Sequence, residues 1–223
     1  MASDAINTPS ATGRDHAYAV VKAGISAIPI VGGPAAELLA HLIEPPLAKR
    51  RNEWMELVGE KLAELDAKGV DITELGQKEE FVSAVLHASH IALRTHQAEK
   101  REALRNAIFN VAAGQSPGDA LEHMFFEWVD SLSVTHIQVL KLFQSPPAPP
   151  GISMGGLNSV LEFNMPHLRG QRSLYDQVWR DLYSRGLINT DSLHVTMSGS
   201  GLHAKRTTDI GDAFVRFISE PAP

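Results

Sequence analysis

The sequence has no cysteine. That absence excludes a disulfide framework, thiolate zinc sites, iron–sulfur clusters and a cysteine nucleophile. Positive charge is not in excess, with 20 Lys+Arg against 26 Asp+Glu and a formal net charge of −6. This balance argues against a general polyanion binder but leaves room for a local basic patch. No apolar run reaches the ~20 residues of a spanning helix. The N-terminus, Met1 to Gly13, lacks the basic and apolar regions of a secretory signal. Residues 1–14 read as a disordered tail, and the chain as cytoplasmic. The phosphate-cradling patterns G-x-x-x-x-G-K-[ST] and G-x-G-x-x-G are both missing. So are H-E-x-x-H and any Glu-x-x-His pair. No cofactor and no small-molecule substrate are therefore indicated.

What is present is an ordinary globular composition, 43% hydrophobic over 223 residues. That length suits one large domain or two small ones. Residues 15–132 read as a helical bundle. Asp15 can cap a helix from His16 to about Ala27, and Pro29 stops it. Pro34 can open the next helix, with Leu38, Leu39, Leu42 and Ile43 on one side. Pro45–Pro46 is expected to interrupt it. A further helix to about Lys68 then follows, with Leu47, Trp54, Val58, Leu62 and Leu65 as its stripe. Gly69 is a stop signal. A helical pattern spans Gln77 to Ala113, about 55 Å if straight, so a kink near Thr95–Gln97 is expected. Asp119 to about Asp130 forms a shorter helix.

Residues 133–223 change character. Ser133 caps a helix from Val134 to Phe143. Residues 144–156 are rich in proline and glycine and read as a linker or long loop without regular structure. Leu157–Asn164 and Ser173–Arg185 are helical. Ser192–Met197 and Leu202–Thr207 are expected to pair as a β-hairpin around Ser198-Gly-Ser-Gly201. Thr208 or Asp209 caps a last helix to about Ile218. The fold class is mainly α: a helical bundle followed by an α+β domain with one small hairpin.

The segments "LYSRGLI" (Leu182–Ile188) and "KRTTDIGDAFVRFI" (Lys205–Ile218) carry a resemblance. With the element order from Ser133 onward, this part of the chain resembles a winged-helix domain. The resemblance implies that Arg172, Arg180 and Arg185 lie on or beside a third helix. It places Lys205 and Arg206 on the wing, where partner or nucleic-acid contacts would fall. The same region holds 8 Lys+Arg and 7 Asp+Glu, too balanced for a strong phosphate binder. Farther upstream, "IPIVGGPAAELL…EPPLAKRRNEW" (Ile28–Trp54) resembles bacterial helical proteins of the abortive-infection alpha type. That likeness implies a phage-defence setting and no defined chemistry.

Three readings of function follow. The first is a non-enzymatic interaction or adaptor protein, binding a protein partner or itself through the winged-helix-like module. The second is a membrane-acting effector that inserts an apolar hairpin, residues 17–43. Its element comprises Lys22, Ile25, Ile28, Ile30 and Val31, with Lys49, Arg50 and Arg51 as a basic anchor for anionic headgroups. From Ala23 to Ala36 the sequence carries no charge, but prolines and glycines break the run. The third is a DNA-binding regulator. His87, His90 and Glu80 share a helix face and could in principle hold zinc, but an i, i+3 pair is weak evidence. Glu122, Glu127 and Asp130 beside Trp128 read as solvated carboxylates.

Overall fold

The computed structural model describes residues 34–220, and side chains from 43 onward. Among the described residues it is mainly helical, with a single two-stranded antiparallel sheet. The chain divides into two compact units at Asp119/Ala120.

The first unit rests on α1 (Pro34–Ala67), α2 (Ile72–Leu75), α3 (Glu79–Arg94) and α4 (Ala98–Ala112). Helix α1 runs unbroken through Pro45 and Pro46, against the expected interruption. Each proline lacks an N–H and crowds the carbonyl four residues back. Both are exposed. The stripe Trp54, Val58, Leu62 and Leu65 is buried, as its spacing requires. Gly69 turns the chain at φ 89°, and the Asp71 carboxylate caps α2 by accepting from the Thr73 amide at 2.8 Å. The long 77–113 pattern splits into α3 and α4 at Thr95–Gln97, where the kink was expected. The Thr95 Oγ1 accepts the Gln97 amide there at 3.2 Å. The two helices pack against each other and against α1. Their core rows are Phe81, Val85, Ala88 and Ala92, then Leu104, Ile108 and Val111. The Trp54 indole donates to Ser89 Oγ at 2.9 Å, which satisfies a donor that burial would otherwise strand.

The second unit starts with α5 (Asp119–Ser131), a helix assigned by pattern to the N-terminal bundle. Its aromatic face decides the matter. Phe125 and Trp128 lie 5.4 and 5.5 Å from Phe214, and Phe126 lies 5.3 Å from Phe217. Then come α6 (Val134–Leu142), β1 (Met154–Gly155), α7 (Leu157–Asn164), a 3-10 turn at Pro166–Leu168 and α8 (Arg172–Ser184). Strand β2 (Met197–Ser198), α9 (Gly199–His203) and α10 (Asp209–Phe217) complete it.

Three expectations change here. Residues 144–156 are not devoid of regular structure, and they are no linker between units. They lie within this unit and contain β1, which pairs antiparallel with β2 through Met154–Ser198 and Gly155–Met197. The loop is strapped down by Asn164 Nδ2 donating to the Pro147 carbonyl at 2.8 Å. The 192–197/202–207 hairpin does not form. Residues 199–203 are helical instead, capped by Ser198 Oγ accepting from the Gly201 amide at 3.3 Å. The glycines serve by being small rather than by positive φ. A Cβ on Gly199 would stand 3.1 Å from the Ile152 carbonyl. The returning chain pairs with the end of α8 rather than with 192–197. Ile188 and Thr207 form an antiparallel bridge, and the Asn189 amide donates to the Arg206 carbonyl at 2.9 Å.

Candidate functional site

Thr208, Gly211 and Phe214 explain how α10 is seated. Thr208 Oγ1 caps the helix by accepting the Gly211 amide at 3.1 Å, and donates to the Gly186 carbonyl at 2.6 Å. Gly211 meets the backbone of Leu187 so closely that an added Cβ would fall 2.2 Å from its carbonyl oxygen. Phe214 is fully buried.

The cations singled out from the sequence are mostly engaged within the unit. Lys205 pairs with Asp212. Arg206 donates to the Gly201 carbonyl and reaches Met197 Sδ at 3.1 Å. Its amide donates to the Phe143 carbonyl at 2.9 Å. Arg172 pairs with Asp176 at 3.3 Å, and Arg180 donates to Gln177 Oε1 at 2.7 Å. Arg185 closes α8 and is half-buried.

Asp212 is the hub of this arrangement. Besides Lys205, it accepts from Thr207 Oγ1 at 2.5 Å and from Gln144 Nε2 at 3.1 Å. Burial alone would raise its carboxyl. The donors outweigh burial and hold the group below its ordinary value of 3.8. Asp212 thus ties the end of α6, the returning chain and α10 together.

Two polar groupings that reach α8 are not among the candidates read from the sequence. Tyr175 donates to Glu162 Oε1 at 2.9 Å. Burial, then the Glu162 carboxylate, pushes the phenol above its ordinary value of 10.0. The His194 Nε2–H donates to Asp176 Oδ1 at 2.7 Å, across 18 residues. The second grouping links Ser133, His136 and Asp181. Ser133 Oγ lies 2.7 Å from His136 Nδ1, and His136 Nε2 lies 3.3 Å from Asp181 Oδ2. This order of groups is that of a hydrolase triad. Its atoms, however, already serve as a helix cap. The Ser133 amide donates to His136 Nδ1 at 3.2 Å, and the His136 amide donates back to Ser133 Oγ at 3.4 Å. The local signal is S-x-x-H, a capping box with histidine in the place usually held by Glu or Gln.

The remaining candidates lie apart. Lys49 pairs with Glu53 at 3.8 Å, Arg50 donates to the Leu93 carbonyl at 3.3 Å, and Arg51 is exposed. Lys22, Ile25, Ile28, Ile30 and Val31 lie outside the described residues, as does the 1–14 tail. His87 is half-buried while His90 and Glu80 are exposed. Among the described residues no group of three or more histidines and carboxylates is placed to hold a metal ion. Glu127 is exposed, and Glu122 and Asp130 are half-buried. Among the described residues no helix is long and apolar enough to cross a membrane. No protein-family model matches the chain, and no curated protein or solved structure matches it significantly.

Proposed function

We propose that this chain is a non-enzymatic interaction protein whose second unit, a winged-helix-like module, binds a protein partner. The observation that carries the reading is how the cations of this unit are used. Lys205, Arg206, Arg172 and Arg180 each bond to a neighbour within the unit. Each phosphate contact needs a cation of its own, so this favours protein over nucleic acid. Large apolar side chains stand exposed in the same unit, among them Met154, Phe163, Leu174 and Val195. Such side chains suit a protein interface.

The winged-helix-like reading is supported by the order of elements from α6 onward. The Ile188–Thr207 bridge at the base of the 190–206 loop supports it as well. The likeness of residues 28–54 to abortive-infection alpha-type proteins favours a bacterial phage-defence setting. The non-enzymatic reading rests on the Ser133–His136–Asp181 chain doubling as a helix cap.

The test pairs affinity purification of the tagged full chain with a gel shift on a short duplex at low salt. The expected result is a stoichiometric protein partner, lost in Phe163→Asp/Leu174→Asp while circular dichroism is unchanged. A salt-sensitive duplex shift abolished by Arg180→Ala would overturn the reading in favour of a DNA-binding regulator.

A further inference from the structure

The second unit carries a strap whose shape is set by proline: Ser145-Pro-Pro-Ala-Pro-Pro-Gly151. Each proline fixes its own φ near about −65°. Each also pushes the residue before it into extended backbone. Together these rules set every torsion from the ψ of Ser145 to the φ of Pro150 except two, the ψ of Pro147 and the φ of Ala148. Those two orient a single peptide, and the fold clamps it from both sides. Its carbonyl, on Pro147, accepts from Asn164 Nδ2 at 2.8 Å. Its N–H, on Ala148, donates to His203 Nδ1 at 3.4 Å. The end is fixed as well. The Ile152 amide donates to the Pro149 carbonyl at 3.4 Å, and Gly151 has φ 77°. With proline second and glycine third, this is the pattern of a type II turn, which keeps Pro150 extended.

The burial of the strap repeats every three residues, the period of a polyproline II helix. Pro146 is buried and Pro149 half-buried, so this edge faces the unit. Pro147 and Pro150 are both exposed, so the next edge faces out. Between Pro146 and Pro150 the one N–H belongs to Ala148, and it is already bonded. An apolar surface can therefore cover the strap without stranding a backbone donor. A partner need only offer ring faces and a few donors to carbonyls, which Trp and Tyr supply together.

We propose that this strap, with Pro147 and Pro150 as its contact edge, is a preformed polyproline II ligand for an aromatic-lined groove on a partner protein. The proposal rests on the reading that this unit binds a protein, and names the surface and the kind of partner. The clamp lowers the ordering cost that a free proline-rich segment meets on binding. Phe163, 44% exposed, precedes the clamping Asn164 in the chain and so belongs to the same side of α7's end.

The test presents the full chain to a panel of purified SH3, WW and EVH1 domains, with affinities measured by calorimetry. Wild type is expected to bind at least one of them. Pro147→Ala/Pro150→Ala should weaken that binding at least tenfold. Asn164→Ala/His203→Ala, which keeps all four prolines, should weaken it roughly tenfold by freeing the clamped peptide. Circular dichroism and melting temperature are followed for both variants. A third measurement needs no variant: amide shifts of the labelled wild-type chain should move at Ala148, Gly151 and Ile152 when the domain is added. Binding to no domain of the panel overturns the proposal. So does a bound domain that leaves those amides still, or one held as tightly by Pro147→Ala/Pro150→Ala. Affinity purification of the tagged chain separates the two readings. A partner that co-purifies equally with wild type and Pro147→Ala/Pro150→Ala overturns the strap and leaves the interaction reading standing.

Discussion

Helix α1 alone spans 34 residues, whereas no helix of the second unit exceeds 13. The two units are stabilised differently as a result. In the first, long helices bury apolar rows along one another, and contacts repeat every turn. In the second, short elements meet at points. Those points are caps, single backbone bridges and close approaches, such as Thr208 at Gly186, Ile188 at Thr207 and Gly211 at Leu187. A unit built from rows spreads its stability over many similar contacts. One built from points concentrates it on a few residues of exact size and chemistry.

The sharpest way to break this contrast is Gly211→Ala. The added methyl would lie 2.2 Å from the Leu187 carbonyl oxygen, well inside contact distance. Helix α10 must retreat, and the hydrogen bond from the Thr208 amide to that same carbonyl, 3.1 Å long, goes with it. The expected loss is about 3 kcal/mol, at the upper end of overpacking costs. A urea titration followed by tryptophan fluorescence checks it, since Trp128 and Trp179 report on this unit and Trp54 on the other. A variant as stable as wild type would show that the seat of α10 is soft, and the contrast would fail.

The same contrast governs what the sequence made legible. Elements written as local patterns were readable. These include the Trp54–Leu65 stripe, the break at Thr95–Gln97, the Ser133 cap and the span of α7. The Thr208 cap was readable too, because a hydroxyl before an apolar run has a local cause. Pairings between distant points were not. Strands β1 and β2 are two residues each, too short to show alternation, and their partners lie 44 residues apart at Met154 and Ser198. Asp181 reaches His136 across 45 residues, and Asp212 gathers donors from both Gln144 and Thr207. Such convergence is a property of the fold and leaves no spacing to read. Pro45–Pro46 failed for another reason. The rule that proline ends a helix is a tendency, and α1 continues through both prolines, which stand exposed.

Asp212→Asn probes a point contact of the second unit by charge rather than size. The amide keeps the shape but loses the ion pair with Lys205 and weakens acceptance from Thr207 and Gln144. The expected cost near neutral pH is about 2 kcal/mol, in the range for hydrogen bonds to charged groups. The pH dependence carries a sign. Because the folded pKa is lowered from 3.8, the unfolded chain takes up the proton first as pH falls. The stabilisation is complete above the ordinary aspartate range. It is lost as pH falls through 3.8 toward the native value. Urea midpoints measured from neutral to acid pH should therefore converge for wild type and variant at the acid end. Parallel curves would mean that Asp212 acts by packing alone.

The smallest effect belongs to the first unit and has the opposite sign. Gly59 sits inside α1, and a Cβ added there would meet nothing within 4 Å. Its backbone is already helical, so alanine adopts it without strain. Replacement by alanine removes freedom from the unfolded chain and should stabilise the unit by about 0.5–1 kcal/mol. One substitution type would thus raise the melting temperature when made in a row of α1 and lower it when made at the seat of α10. A glycine at 59 that resists alanine would mean that α1 is crowded on the side opposite its core row. The first unit would then depend on close approach as much as the second does.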